Sequence, residues 1–290
     1  MISVKIMDGL LIINKPIGLS SHHVVNLIRK KLNTKKVGHS GTLDVEASGV
    51  LVLGINKGTK LMNYLNQDEK VYEFTIALGT TTKTLDHTSE IIASQPNFSV
   101  SEFDEVSSKL IGEHHQIPPD YAAIKVAGKK LYQYARNNQE IPKLKARKTW
   151  IYDFKRMSDF TETPFGIEVT CFIHVSKGFY IRAFARDLAH RLHTVGHTRK
   201  IHRIKAGDFD IHHAVNIDAD LAKSLIPLSQ CLPHIKSYRC NDEEITRISH
   251  GKVLYIADCV PMIKCLDQNN QLIAIYEKHQ DYYKAKNVFM

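Results

Sequence analysis

The sequence predicts a chain that mixes strands and helices over most of its length and turns β-rich toward its C-terminal end. Three observations carry this. Over residues 167–175, Ile167, Val169, Cys171, Ile173 and Val175 alternate with Glu168, Thr170, Phe172 and His174, the period of two that buries one face of a strand. Directly afterwards Ile181, Phe184, Leu188 and Leu192 recur at a helical period. Beyond residue 233 the apolar segments shorten, as at 253–257 and 272–276, with Gln268-Asn269-Asn270 between them as a turn.

The remaining elements follow in chain order. Residues 10–14 form an apolar run halted by Lys15 and Pro16, a strand entering a turn. A helix comes next, with Ser20 or Ser21 as its cap and Val24, Ile28 and Leu32 on one face. Residues 50–55 and 71–78 read as strands. Ser99 and Glu102 have capping-box spacing ahead of the stripe Phe103, Val106 and Leu110, which predicts a second, structural helix. The helix over 180–192 is expected to stop at Gly196, and Arg182 and Arg186, four apart, project together from it. Pro227 and Pro233 bracket an expected hinge.

At 290 residues the chain is long enough for one large core and a small satellite unit. No apolar run approaches the roughly 18 residues a bilayer span requires, and no secretory h-region opens the sequence, so the cytoplasm is the expected location. The formal charge of +9 is concentrated: nine Lys or Arg against three acids over 1–60, ten against two over 125–156, and eight against one over 177–205. Three blocks of one sign point to a polyanionic partner, nucleic acid first. Five cysteines without a C-x-x-C pair read as reduced thiols. His193 and His197 have helical metal-pair spacing but lack the glutamate of H-E-x-x-H, so no metal is expected. The segments Gly54-Ile-Asn-Lys-Gly58 and Gly79-Thr-Thr-Thr-Lys83-Thr84 only imitate phosphate loops, and neither G-x-G-x-x-G after the first strand nor G-x-S-x-G occurs. Nucleotide hydrolysis, dinucleotide binding and serine-hydrolase chemistry are thereby disfavoured.

The chemistry candidate is Asp44, set among Gly38, Gly41 and Gly49 shortly after Arg29, Lys30, Lys31, Lys35 and Lys36. Glycines at these positions permit positive φ and close approach of another backbone. Two readings stand: Asp44 bonds to its own turn, or the loop presents it to a substrate, with Arg182 or Arg186 keeping it ionised among phosphates.

Lys15-Pro16-x-Gly18-x-Ser20-Ser21, then Lys36-Val-Gly-His39-Ser-Gly-Thr-Leu-Asp44 and Ala47-Ser-Gly49-Val-Leu, resemble the N-terminal motifs of the bacterial TruB-type tRNA pseudouridine synthases. Further on, Lys70-Val-Tyr72, Leu78-Gly79-x-x-Thr82-x-Thr84-x-Asp86, Gln116-Ile-Pro-Pro-Asp-Tyr121-Ala-Ala-Ile-Lys125, Gly128-Lys-Lys-Leu-Tyr132 and Ser176-Lys-Gly-Phe-Tyr180-Ile-Arg182 continue the match in order. The resemblance implies an α+β fold: a mixed, mostly antiparallel central sheet flanked by helices, crossed by the active cleft. It implies a catalytic domain over 1–232, with an RNA-gripping insertion at about 116–147, and a small PUA-like β-rich domain over 233–290.

The implied activity is isomerisation of the T-loop uridine at position 55 of tRNA to pseudouridine. The N1–C1′ bond breaks, the base turns, and a C5–C1′ bond forms, with no net redox change and no cofactor. Asp44 would be nucleophile or proton-abstracting base at the ribose, paired with Arg182. Tyr72 would stack on the base and handle a proton, Tyr180 and Ile201 would line its pocket, and His39 would fill the space the extruded nucleotide leaves. Plainer readings are core tyrosines at 72 and 180, a bordering core residue at 201 and a loop donor at 39. Lys15, Lys125, Lys129, Lys130, Arg147 and Lys177 are read as RNA contacts. The expected partner is the tRNA T-arm, with no membrane and no obligate protein partner, the chain acting as a monomer. The insertion favours stand-alone recognition over a guide-RNA-dependent relative. A tRNA-binding or folding module with secondary or lost catalysis is the alternative. The chain departs from the family pattern at Ser40, at Val45-Glu46-Ala47-Ser48 in place of Pro-Leu-Ala-Thr, at Ser89, and at Ile201-His202-Arg203-Ile204, where one permanent cation is missing. Losing the proline is expected to loosen the loop and Glu46 to add a second carboxylate beside Asp44.

Overall fold

Apolar runs of period two build the central sheet of this computed structural model, which describes residues 7–96, 99–126, 128–137 and 139–290. Its strands are β1 (Gly9–Lys15), β2 (Val37–Ser40), β3 (Ala47–Ile55), β4 (Glu69–Leu78), β5 (Gly112–Gln116), β6 (Arg147–Arg156), β7 (Gly166–Ser176), β8 (Gly196–Ala206) and β9 (Ile226–Pro227). They run in the order β9-β1-β3-β8-β4-β7-β6-β5, with β2 also on β3. Neighbours along this path are antiparallel except β3 and β8.

The parallel pairing positions the site. Strand β3 shares one edge between two partners: β2 pairs with it from Val52 to Ile55, and β8 takes over at Ala47, Ser48 and Gly49. The connection from Ser40 to Ala47, which carries Asp44, therefore emerges where the sheet divides.

Successive residues of β1 and β3 serve opposite cores, as the period of two requires. Leu11, Ile13, Leu51 and Leu53 join Phe74, Cys171 and Ile173 beneath helices α1 (Ser21–Lys31), α2 (Val100–Ser108) and, after α3 (Leu131–Arg136), α4 (Ile181–Arg191). Leu10, Ile12, Val50 and Val52 pack instead with Leu232, Leu272, Ile275 and Phe289. Each large side chain on the α4 stripe, Phe184 and Leu188 among them, is buried and contributes about 1.5–3 kcal/mol of hydrophobic stabilisation.

The helix caps match the sequence: Ser20 accepts from the His23 amide, and Ser99 with Glu102 forms the capping box of α2. Four expectations are corrected. Helix α4 is ended by His193, at φ +53°, and not by Gly196. Gly196 opens β8, where a Cβ would fall 2.8 Å from the Ala189 methyl group, so its glycine serves close packing. The segment from Pro227 to Pro233 is no hinge, since β9 pairs with β1 and Cys231 and Leu232 are buried between the sheets. Residues 253–257 are not a strand; only Leu254 makes a bridge, to Tyr283. Gly38 has a φ outside the positive region and room for a Cβ, unlike Gly41 at +73° and Gly49 at +104°.

The C-terminal segment forms its own sheet of β10 (Lys236–Arg239), β11 (Met262–Leu266), β12 (Leu272–His279) and β13 (Tyr282–Val288) in that order. Helix α5 (Asp242–Ser249) has an Asn241–Glu244 capping box, and the expected turn at 268–270 joins β11 to β12. Among the described residues no helix is long and apolar enough to cross a membrane.

Candidate active site

The loop between β2 and β3 is held at successive residues by side chains from elsewhere in the chain. Arg203, buried on β8, donates from Nη2 to the Gly41 carbonyl at 3.0 Å. Ser21, at the start of α1, accepts from the Leu43 amide and donates to its carbonyl, both at 2.9 Å. The Val45 carbonyl accepts from the Gly18 amide at 2.9 Å and from Lys15 Nζ at 3.2 Å. Gly49 completes the frame: a Cβ there would sit 2.1 Å from the Arg203 carbonyl, so only glycine lets β8 lie against β3. The loop is thus braced at these residues without the missing proline.

Within this frame the Asp44 carboxylate bonds to no amide of its own turn. Its Oδ2 accepts from Arg182 Nε at 2.9 Å and lies 2.8 Å from Arg182 Nη2. Its side chain is 43% exposed and that of Arg182 only 5%, so a half-open carboxylate rests on a buried guanidinium. Arg182 is itself fixed by donating to the Thr84 carbonyl at 2.9 Å and the Tyr121 carbonyl at 3.0 Å, with Asp86 Oδ2 3.7 Å from Nη1. Arg186 does not share this task; it donates to Asp187 and to the Ile117 carbonyl, so the two arginines diverge. Glu46 turns away toward His87, 3.3 Å off.

A cleft of about 320 Å³ opens over Asp44, lined also by Tyr72, Tyr180, Arg182 and Ile201, in the range of small-molecule sites. Five of the residues singled out in the sequence therefore meet at one cavity. Tyr72 projects from β4 with its ring buried, and its hydroxyl makes no hydrogen bond among the described residues. Tyr180 sits at the N-cap of α4, its backbone pinned by Gln116, whose Oε1 accepts from the Tyr180 amide at 3.0 Å. Burial foremost raises the Tyr180 phenol above its ordinary pKa, keeping it protonated at neutral pH. His39 lies on β2 outside the cleft lining, with its Nδ1 buried and unpartnered; burial, with His22 and Arg203, lowers its pKa and leaves it neutral.

The basic residues divide. Lys125, Lys129, Lys130 and Arg147 are exposed, the first three on the hairpin of Lys125–Val126 and Lys129–Lys130. Lys177 is exposed but pairs with Asp68 at 2.5 Å. Lys15 corrects the sequence reading: it is fully buried, and its ammonium donates to the carbonyls of Pro16, Leu19 and Val45, so it braces the loop and meets no phosphate. Burial pushes its pKa down to about 8, against the opposing pull of Asp44 and Glu46.

Sequence reasoning missed Ser21, Gln116, Thr84 and Asp86 as positioning groups, although all lie within quoted motifs. Arg203 was noted only as part of a departure from the family pattern. His193 and His197 share no helix, and among the described residues no group of three or more His, Cys, Asp or Glu is placed to hold a metal.

The model of the TruB family pseudouridylate synthase N-terminal domain matches residues 29–181. Curated relatives named tRNA pseudouridine synthase B include that of Staphylococcus saprophyticus, 37% identical over 97% of this chain and 99% of that protein. Another, from Mesoplasma florum, is 35% identical over 96% of this chain and 97% of its own length. Among solved structures, a chain from a Cbf5-Nop10-Gar1 complex superposes with a TM-score of 0.71 at 20% identity, covering 100% of this chain and 87% of that one. This last likeness concerns the fold alone.

Proposed function

The chain belongs to the TruB family of pseudouridylate synthases, and from that premise we propose how its cleft isomerises uridine to pseudouridine in tRNA, with the T-loop uridine at position 55 as substrate. The observation that carries the assignment of the chemistry is the pair itself: Asp44, half-open to the cleft, on the buried guanidinium of Arg182.

A uridine inside a folded loop must leave its stack before a protein can reach C1′, which costs a few kcal/mol. Stacking on an aromatic ring returns roughly 1–3 kcal/mol per base; Tyr72 and Tyr180 line the cleft where such a base would lie, with Ile201 as an apolar wall. Asp44 acts at the ribose as nucleophile or as proton-abstracting base while the N1–C1′ bond breaks. The detached base turns, C5 bonds to C1′, the C5 proton leaves and N1, freed from C1′, takes up a proton, so that no atom is gained or lost overall. Arg182 keeps the carboxylate aimed through this sequence, and the Tyr72 hydroxyl handles a proton. His39, neutral and outside the cleft lining, fills the gap left in the RNA. No redox change occurs and no cofactor is called for.

Recognition of the T-arm rests on the exposed cations Lys125, Lys129, Lys130 and Arg147 of the insertion, joined by Lys177. A catalytic unit over 1–232 and a PUA-like unit over 233–290 that touches the tRNA complete the reading, with the protein acting alone as a cytoplasmic monomer. Incubation with an unmodified tRNA transcript, followed by mapping of pseudouridine, is the test. Product at the T-loop position is expected; intact RNA binding without product would reject the enzyme in favour of a binding or folding module.

A further inference from the structure

Two cations converge on the cleft, and among the described residues neither forms an ion pair with an acid. Lys70 precedes Tyr72 by two residues on β4, so both side chains leave the same face of the strand, and both line the cavity. From β8, Arg203 reaches the same place: the position of a Cβ on Gly41 is 3.5 Å from Lys70 Cε and 3.5 Å from Arg203 Nη1. Arg203 uses Nε on the Val50 carbonyl at 2.8 Å and Nη2 on the Gly41 carbonyl at 3.0 Å. Its Nη1 and the Lys70 ammonium make no hydrogen bond or ion pair among the described residues. The acids that could neutralise them are engaged elsewhere, Asp68 by Lys177 at 2.5 Å and Asp44 by Arg182.

Like charges brought together where one is buried and the other only partly exposed are unfavourable unless an anion comes from outside. We propose that Lys70 and Arg203 Nη1 form an anion site that takes a backbone phosphate beside the extruded nucleotide, fixing the sugar over Asp44. A lysine supplies a point charge and an arginine a directed donor, the combination suited to a phosphodiester oxygen. This rests on the reading of the cleft as a nucleotide pocket.

The pairing makes affinity depend on pH. Burial first, then Arg203, with Asp68 opposing and Lys177 adding, brings the Lys70 pKa down to about 8. Facing groups come from three places: Arg203 on β8, Asp68 in the turn before β4 and Lys177 after β7. Phosphate binding favours the charged form, so above about pH 8 the complex takes up a proton and affinity falls, at most about tenfold per pH unit.

Binding of a T-arm stem-loop RNA by the full chain, measured by fluorescence anisotropy from pH 6.5 to 9.5 and across a salt series, tests this with wild type, Lys70→Met and Lys70→Arg. Lys70→Met is expected to weaken binding about tenfold at pH 7 and to flatten the salt slope by about 0.7–0.9. Lys70→Arg is expected to keep the slope and lose that part of the pH dependence which wild type shows above pH 8. Lys15 titrates in the same range but is common to all three proteins. Thermal melts confirm that each variant is folded. A Lys70→Met protein with wild-type salt slope and pH profile overturns the anion site while leaving the cleft reading intact, and so does one that loses conversion only. Wild type that neither binds nor converts the RNA overturns both.

Discussion

Replacing Arg182 by methionine separates what the guanidinium does for the fold from what it does for Asp44. The side chain is 5% exposed, so methionine preserves most of the apolar contact while removing every donor. One donated bond, from Nε, and the ion-pair contact of Nη2 end on Asp44 Oδ2, and that carboxylate is open enough to regain water, so their loss changes stability little. The other two end on the Thr84 and Tyr121 carbonyls, and a buried acceptor left unpaired costs about 1–3 kcal/mol. Two such acceptors, less the relief of no longer burying a charge, predict a net destabilisation of about 2–4 kcal/mol, or about 3–7 °C in Tm for a chain of this size. Catalysis falls further: a carboxylate without its orienting cation is expected to lose about 10²–10³-fold, the range seen when one preorganised electrostatic partner is removed. Lysine at 182 restores the charge but not the fork, so it should recover part of the Tm and little of the rate. Circular dichroism melts and single-turnover pseudouridine formation at saturating enzyme read the two quantities. Wild-type Tm together with wild-type single-turnover rate in Arg182→Met would refute the reasoning.

Asp44→Asn should abolish conversion while RNA affinity by filter binding stays within a few-fold of wild type; retained conversion would remove Asp44 from the chemistry. Gly49→Ala forces a Cβ to 2.1 Å from the Arg203 carbonyl at a positive φ, so a loss of more than about 3 kcal/mol or failure to fold is expected, checked by urea unfolding. Lys15→Met leaves buried carbonyls of the loop without their donor. Because the Lys15 pKa drops from 10.5 to about 8 on folding, the unfolded chain binds the extra proton between these values and wild-type stability rises with pH there. Urea titrations at pH 7.5 and 9.5 should therefore show the gap between wild type and Lys15→Met widening at the higher pH. For wild type, raising salt from 50 to 200 mM should weaken tRNA binding by about tenfold or more; a flat response contradicts a basic grip.

Much of this was legible in the sequence because the relevant patterns are local. The alternation over 167–175 is β7, and Val24 and Ile28 face the core as their spacing requires. Asp44, Tyr72 and Arg182 were found through short motifs, each of which places its residue within a few positions of a strand end or helix start. What was not legible acts across the fold. Gln116 holds Tyr180 from 64 residues away and Arg203 holds Gly41 from 162 residues away, and no periodicity signals either. Lys15 reads as an RNA contact because lysines seldom are fully buried, and only the three-dimensional placement of carbonyls around its ammonium shows otherwise. A helix stop at His193 was hidden because glycine is the usual left-handed residue and one stood three positions later.

The hold that Arg203, Ser21 and Lys15 exert on the Asp44 loop has a consequence for sequence tolerance. A segment whose course is imposed by its surroundings, as by a mould, places few demands on its own side chains. Val45 is 44% exposed and Glu46 leans toward His87, so both positions are open to drift or deliberate exchange while the acid stays in place. Selection should instead weigh most heavily on the three gripping residues, though none of them reacts.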